Sequence, residues 1–290
     1  GRLPNATLLI DDGYNMPRST HIGECMRDGG RRWDFQCGSQ QVEHSVPTIG
    51  PMARLTDTAI VLRRWEYSET SQTVSALSRE YGLVRGLAKG AIRPGGSFSG
   101  GFEPVTRGHL GWMVKAGREL AILTEWLLEE VYWSTRHNAE ANRAAIYAVD
   151  LTARLLTDQD PHPTVFDALD RVLTDLSCSS AHLLTFQWTL LEAIGWRPVV
   201  EHDVVSGEPL PADGHVFGFR TSAGGVVGVP AEGDWRVRRE TIEVLQGCAV
   251  GTWGHGADVS RRASGLLAVY TRDLLGEHSE AMRHAFPAIG

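Results

Sequence analysis

A lysine and an arginine flank a glycine-rich turn at the end of the first third of the chain. Lys89 and Arg93 lie in the stretch GLAKGAIRPGG, where Gly90, Gly95 and Gly96 carry no Cβ. Glycines let backbone N–H groups approach an anion closely, and the two cations add the charge that a phosphate group binds. The pattern predicts a phosphate-binding edge, whereas a lone Lys-Gly pair would indicate only a solvated turn.

Further arginines and several aromatic residues accompany this edge. The arginines on or beside predicted strands are candidates to follow a nucleic-acid backbone: Arg63, Arg64, Arg79, Arg85 and Arg107. The planar guanidinium of arginine suits phosphate and also stacks on bases. Candidates for base stacking are Trp65, Tyr67, Phe98 and Trp112. We expect core packing for Trp65 and Trp112 and choose Phe98, which stands among serines and glycines, as the stacking residue.

Residues suited to acid–base or metal chemistry are scattered. Glu201-His202-Asp203, His215 and His255 could form a site, but three adjacent side chains cannot all face one ion and no partner stands at ligand spacing. The nucleotide motifs GxxxxGK[ST] and GxGxxG and the hydrolase motif GxSxG do not occur. The sequence therefore predicts no catalytic residue, no metal and no cofactor, and the protein is predicted not to be an enzyme.

The composition is that of a globular protein. The 290-residue chain is 42% hydrophobic and 22% charged, which excludes disorder throughout. No run of about 18 apolar residues could span a bilayer and the N-terminus lacks a signal-peptide layout, so we expect a cytoplasmic protein. The cysteines, which form no CxxC pair, predict reduced thiols rather than disulfides: Cys25, Cys37, Cys178 and Cys248.

Charge is distributed unevenly along the chain. The net charge is −7, but residues 52–115 carry 9 basic and 5 acidic groups, whereas residues 116–290 carry 14 and 24. Because a global charge averages such segments, the local sign is the better guide to an anionic ligand. The basic segment predicts an anionic partner.

Periodicity divides the chain into three parts. Residues 1–51 show neither strand nor helix periodicity and are predicted to be a disordered or spurious N-terminal extension. From Met52 the pattern indicates five short strands, at 58–65, 70–78, 83–88, 105–114 and 120–127. Five short strands in about 80 residues fit a small, partly open barrel, so residues 52–134 are predicted to form an OB-fold domain.

The remainder, residues 135–290, is predicted to be a helical domain. Apolar residues recur at three- and four-residue steps between 138 and 195, and again at about 238–246 and 259–275. A Gly- and Pro-rich insert separates them at about 196–235, with one short strand at Val226, Val227 and Val229. The fold class is thus α+β, a five-stranded OB-fold barrel followed by an all-helical domain with a small insert.

The motifs resemble a known family. Residues 86–94, followed by Ser97-Phe98 and by Gly101-Phe102-Glu103-Pro104, closely resemble the signature of the bacterial RecO recombination-repair family. So do WEYSETS at 65–71 and SREYG at 78–82, and the resemblance continues through Gly195, Pro198 and Gly224-Gly225-Val226 to Leu274-Leu275-Gly276. It therefore covers essentially all of residues 52–276.

The resemblance implies a function. It implies binding of single- and double-stranded DNA, annealing of complementary strands, and partnership with RecR and with the acidic C-terminal tail of single-strand binding protein to help load the recombinase. Arg143 and Arg154 on the first long helix are candidate contacts for that tail.

One departure from the family concerns a metal. Many members carry a four-cysteine zinc site in the insert, and the matching positions here are Asp203, Ser206, Gly228 and Ala231. Structural zinc needs about four N or S ligands, so we expect a metal-free insert held by packing of Val226, Val227 and Trp235.

Three functional hypotheses remain open. The preferred one is a non-enzymatic DNA-binding mediator. The alternative is a protein-interaction scaffold without direct DNA binding, which suits the acidic residues 116–290. A metal-dependent nuclease would instead cleave strands when Mg²⁺ or Mn²⁺ is added.

Overall fold

The computed structural model describes residues 52–287 except residues 99, 116–119, 175–178 and 252–255. The predicted N-terminal extension, Cys25, Cys37, Cys178 and His255 lie outside the described residues. The residues at which the predicted domains begin and end stay predictions.

Five strands form a closed barrel. They are β1 (Met52–Ser68), β2 (Ser71–Ser78), β3 (Gly82–Ala88), β4 (Thr106–Lys115) and β5 (Ala121–Glu130). Their order is β1-β2-β3-β5-β4, in which β3 and β5 are parallel and all other neighbours antiparallel. The OB-fold prediction is confirmed, although the barrel is closed rather than partly open.

Strand β1 is much longer than its apolar pattern suggested, because its two halves have different neighbours. Met52 to Val61 pair with β4, and Ala59 to Ser68 pair with β2. Successive side chains of a strand point to opposite faces. Val61 accordingly belongs to the core inside the barrel, whereas Ile60 and Leu62 belong to a core shared with the helices.

Seven helices are described after the barrel: α1 (Trp133–His137), α2 (Ala139–Leu155), α3 (Pro163–Thr174), α4 (Ser179–Ala193), α5 (Arg239–Ala249), α6 (Ala257–Leu275) and α7 (Glu280–Ala285). The side chain of Asn138 caps α2 by accepting from the backbone N–H groups of Glu140 and Ala141, at 2.9 and 3.1 Å. The helical prediction is confirmed for the longer helices. The short helices α1 and α7 were not predicted.

Helix α4 lies between two hydrophobic cores. Phe186 and Leu190 pack into the core shared with the barrel, and Trp188 and Leu191 pack into a second core. Because both faces are covered, the helix is apolar on all sides.

Among the described residues no helix is long and apolar enough to cross a membrane.

The insert contains more strand than predicted. Strands β6 (Val216–Arg220), β7 (Gly225–Val227) and β8 (Trp235–Arg238) form a three-stranded sheet in the order β7-β6-β8. The predicted insert between the helices is thus a small sheet, where the sequence predicted one short strand. Val226 and Val227 are buried as expected, but Val229 is exposed outside the strand and Trp235 is 41% exposed.

Candidate nucleic-acid interface

Lys89 and Arg93 lie on an exposed turn that follows β3. The turn is attached to the β1–β2 hairpin, because Ile92 N donates to Thr70 O at 3.2 Å and Gly90 N donates to Ser71 Oγ at 3.2 Å. Gly90 has a φ of +70°, a conformation that residues with a Cβ rarely adopt. Within the described part of the chain, neither Lys89 nor Arg93 forms an ion pair, so both charges face solvent.

The aromatic candidates for base stacking differ from the predictions in which side chains are buried and which are exposed. Phe98 is only 7% exposed, and its ring lies 5.8 Å from that of Phe102, so it would have to leave the barrel core to stack on a base. Trp112 is buried, as expected. Trp65 and Tyr67 are 50% and 67% exposed on the hairpin beside the Lys89–Arg93 turn, although Trp65 was assigned to the core.

Four of the predicted DNA-binding arginines instead contact the helical part of the chain. Their partners lie on α2, on α3 or in the loop between these helices. The pairs are Arg63 with Asp150, Arg79 with Asp167 at 2.9 Å, Arg85 with Asp158 at 3.1 Å, and Arg107 with Asp170 at 2.7 Å. Arg64 pairs with Glu103 at 2.9 Å within the barrel. Their roles in DNA binding stay predictions. To bind DNA, each of these arginines must leave its carboxylate partner and pair with a phosphate group instead.

The Arg79 and Arg107 pairs have the most specific geometry. Arg79 donates through Nε and Nη2 to the two carboxylate oxygens of Asp167, both at 2.9 Å, and this fork raises the pKa of its guanidinium. Asp170 accepts from Arg107 and from the hydroxyl of Tyr132. Burial, together with that hydrogen bond, raises the pKa of Tyr132, so the phenol stays protonated.

The two candidate partner-binding arginines occupy different places. Arg143 lines a groove of about 750 Å³ between α2, α4, α6, α7 and β8, whereas Arg154 pairs with Asp150 and Glu277 away from it. The groove has an apolar floor, which includes Leu183, Leu266 and Phe286. The described lining also includes the basic residues Arg236, Arg238, Arg261 and Arg262, and Glu140 is the acidic residue among those described.

Three of these groove arginines carry uncompensated charge. Arg261 pairs with Glu140 at 3.2 Å and Arg262 pairs with Glu240 at 3.1 Å. For Arg143, Arg236 and Arg238, the described residues provide no ion-pair partner. Sequence reasoning missed the last two, although the run WRVRR at 235–239 is a local signal for them.

The insert does not fit the zinc site that the family implies. Asp203 is the only side chain among the four matching positions that could act as a ligand of usual type, and its two oxygens already accept backbone N–H groups. Oδ2 accepts from Gly228 at 2.7 Å, and Oδ1 accepts from Val205 and Ser206 at 2.8 and 3.0 Å. Gly228 and Ala231 have no donor side chain. The carboxylate thus joins by hydrogen bonds the two turns that a zinc ion would join.

A second aspartate completes this arrangement. Asp234 accepts from Ala231 N at 2.9 Å and from both Nε and Nη2 of Arg220, at 2.8 and 2.9 Å. The Arg220 fork lowers the pKa of Asp234, and the Gly228 N–H group lowers that of Asp203. In the part of the chain that is described, no three His, Cys, Asp or Glu side chains are close enough to hold a metal.

The structure does not bring together the remaining titratable candidates that it describes, and His255 lies outside the described residues. His202 and His215 are both exposed, and Glu201 pairs with Arg197 at 2.9 Å instead of facing His202. Cys248 is buried, and burial raises the pKa of its thiol to about 12, which keeps it protonated at neutral pH.

A closed barrel in the OB order, joined through arginine–aspartate pairs to a helical part, defines an OB-fold protein with an appended helical domain. Comparison with known families identifies which one. The model for the N-terminal part of recombination protein O matches residues 52–132, and the model for its C-terminal part matches residues 136–278. The chain therefore belongs to the RecO family of DNA repair proteins.

Individual relatives agree with this assignment. The chain is 28% identical over 243 residues to the DNA repair protein RecO of Myxococcus xanthus, which covers 80% of this chain and 96% of the relative. It is 32% identical over 172 residues to that of Geobacter metallireducens, covering 58% and 68% of the two chains. With the RecO protein of Syntrophotalea carbinolica the identity is 28% over 177 residues, or 60% and 68%.

Proposed function

We propose that this protein is a non-enzymatic mediator of DNA repair and recombination. It binds single- and double-stranded DNA, anneals complementary strands, and helps load the recombinase together with RecR and single-strand binding protein. Because it would act on chromosomal DNA, we expect the protein in the cytoplasm, at the nucleoid. The observation that carries the proposal is the Lys89–Arg93 turn, whose two cations have no ion-pair partner among the described residues.

The turn suits a phosphate backbone for two reasons. The turn is exposed and has open space at Gly95, although the N–H groups of Gly90 and Gly96 already donate to Ser71 Oγ and Arg93 O. Among the described residues its two cations form no ion pair that must break before they bind phosphate. Arg63, Arg79, Arg85 and Arg107 must each leave an aspartate first. We therefore assign the main phosphate contacts to Lys89 and Arg93, with Arg64 and the four paired arginines as secondary contacts.

The groove is proposed to hold the acidic tail of single-strand binding protein. Arg143, Arg236 and Arg238, which have no ion-pair partner among the described residues, attract acidic residues, and the apolar floor accepts a hydrophobic side chain. A fluorescently labelled tail peptide tests this by anisotropy. Arg143→Ala should weaken binding by about tenfold, equivalent to about 1.4 kcal/mol, and Arg154→Ala should not. Equal losses would contradict the assignment to the groove.

Strand annealing tests the proposed DNA contacts. The rate at which complementary labelled oligonucleotides anneal would be measured for the wild type and for a Lys89→Ala, Arg93→Ala double variant. We expect the double variant to be slower and to bind DNA with a weaker salt dependence, because about two fewer phosphates are neutralised. Equal rates would show that the Lys89–Arg93 turn does not hold DNA.

A second candidate function is a protein-interaction scaffold without direct DNA binding. The observation that favours it is that four barrel arginines are paired with aspartates of the helical part. A salt titration of binding to a labelled single-stranded oligonucleotide separates the two. Binding at low salt that weakens as salt rises supports the mediator, and no binding even at low salt supports the scaffold.

A further inference from the structure

The exposed tryptophan on β1 shares a face of the barrel with the Lys89–Arg93 turn. Trp65 pairs with Thr73 on β2, and Thr73 pairs with Leu87 on β3. Residues directly opposite each other in neighbouring strands point to the same side. Val74 and Ala88, the neighbours of Thr73 and Leu87, belong to the barrel interior, so the row Trp65–Thr73–Leu87 faces outward.

Lys89 extends this row toward the turn. It stands two residues beyond Leu87 and is exposed. Since neighbouring strands lie about 4.8 Å apart, β1 and β3 are separated by about 10 Å. The two residues from Leu87 to Lys89 add about 7 Å along the strand, so the backbones at Trp65 and Lys89 are about 12 Å apart. The indole ring and the ammonium group can therefore meet one short segment of a nucleic-acid strand.

The Trp65 ring is half-exposed without an aromatic or cationic partner in the described part of the chain. Another exposed tryptophan, Trp133 on α1, differs in this respect. It stacks on His137 at 6.2 Å and lies under the guanidinium of Arg136 at 6.0 Å. A large flat ring that is left open beside two free cations is the usual arrangement of a stacking platform for bases.

The charged residues of the hairpin and of the turn bias how a strand would lie. Glu66 and Glu69 are exposed and repel phosphates, and Glu69 adjoins Thr70, to which the turn is bonded, whereas Lys89 and Arg93 attract phosphates. Phosphates are therefore favoured on the Lys89–Arg93 side, and bases are favoured on the Trp65 side. In a duplex the faces of the bases are covered by their neighbours, so stacking on Trp65 requires unpaired bases.

We propose that Trp65 is a base-stacking residue that gives the barrel its preference for single-stranded over double-stranded nucleic acid. This inference rests on the proposed function. It adds a contact with unpaired bases to the phosphate binding by Lys89 and Arg93. The chemistry requires only a π-face, so the contact is independent of base sequence.

The test compares three ligands with the full chain. These are labelled oligo(dT), an oligonucleotide of equal length made of abasic nucleotides, and a blunt duplex. Trp65→Ala should weaken oligo(dT) binding by about 5- to 150-fold, the range of one base–aromatic stack, and should leave the abasic strand and the duplex unchanged. Trp65→Phe should recover most of the loss. Lys89→Ala should instead weaken all ligands.

Matched controls separate the possible failures. Trp133→Ala removes an exposed tryptophan from α1 and should leave oligo(dT) affinity unchanged, and thermal unfolding checks that each variant is folded. If the wild type does not bind oligo(dT) at low salt, the proposed function itself fails. If it binds and Trp65→Ala binds equally well, or loses the abasic strand and the duplex to the same extent, stacking at Trp65 is refuted while DNA binding stands.

Discussion

Replacement of Asp203 by alanine is expected to loosen the insert, because it removes the carboxylate that joins two turns. The amides of Val205 and Ser206 belong to exposed residues, so water can replace the carboxylate as their acceptor. Gly228 is half-buried, and its N–H group, which donates to Asp203 at 2.7 Å, would lose its partner. The bond to Gly228 therefore sets most of the cost.

The size of the effect follows from that bond. A hydrogen bond to a charged group contributes about 1.5 to 3 kcal/mol to the free energy of unfolding. In a chain of this size each 1 kcal/mol lowers Tm by about 2 to 4 °C, so we expect Asp203→Ala to lower Tm by about 3 to 12 °C.

Thermal unfolding followed by circular dichroism provides the assay. Asp213→Ala is the matched control, because Asp213 is an exposed aspartate of the same insert with no side-chain bond in the described structure. It should unfold like the wild type. A chelator should leave the wild-type Tm unchanged, since the positions of the family's zinc ligands hold no thiolate or imidazole.

The pH dependence gives a second test of the same bond. Hydrogen bonds, first from Gly228 and then from Ser206, lower the pKa of Asp203 in the folded state. The unfolded value is about 3.9, so the stabilisation is complete above it and is lost as pH falls through the lower folded pKa. The Tm difference between wild type and Asp203→Ala should be constant from about pH 8 to 5 and shrink below about pH 4. Equal Tm values at pH 7, or a wild type destabilised by chelator, would refute the reasoning.

Two further substitutions test how the barrel joins the helical part. Gly82 has a φ of +73° and an added Cβ would lie 2.2 Å from the carbonyl oxygen of Asp160, whereas Gly95 has a φ of +74° and nothing within 4 Å. Gly95→Ala should lower the free energy of unfolding in urea by about 1 to 2 kcal/mol, the cost of a left-handed backbone at alanine. Gly82→Ala should lower it clearly more, because its Cβ also meets the carbonyl oxygen of Asp160. Asp170→Ala should lower the free energy of unfolding by at least about 1.5 kcal/mol, because Arg107 and the Tyr132 hydroxyl both lose their acceptor; an unchanged urea midpoint would contradict this.

The barrel was predictable because its strands carry local signals. Alternating apolar residues marked strands β2 to β5 to within a few residues, and the glycine-rich turn after β3 marked its connection. The sheet of the insert was not predictable from the sequence. Strands β6 and β8 are short, and they depend on pairing between residues distant in sequence, such as Phe219 with Trp235. Period-2 patterning over three to five residues is too short a signal to distinguish from a loop.

The candidate site was predictable only in part, for a similar reason. Lys89 and Arg93 were identified from neighbouring glycines, which is local information. Whether an arginine is free depends on a carboxylate that lies far along the chain, as with Arg79 and Asp167, which are 88 positions apart. Trp65 was assigned to core packing, whereas strand pairing places it opposite Thr73 on the outward face, where it is 50% exposed.

The arginine–aspartate pairs between the barrel and the helical part therefore have two possible meanings, which the salt dependence of DNA binding distinguishes. Each phosphate neutralised on a single strand contributes about −0.7 to the slope of log affinity against log salt. If the four arginine–aspartate pairs stay closed, Lys89 and Arg93 alone give a slope near about −1.4. If the pairs open and Arg63, Arg79, Arg85 and Arg107 move to phosphates, the slope approaches about −4. The shallower slope would mean a weak, reversible hold, which suits annealing because strands must be released once paired. The steeper slope would mean that the acidic helical part competes with DNA for the barrel, and Asp167→Asn would then strengthen DNA binding.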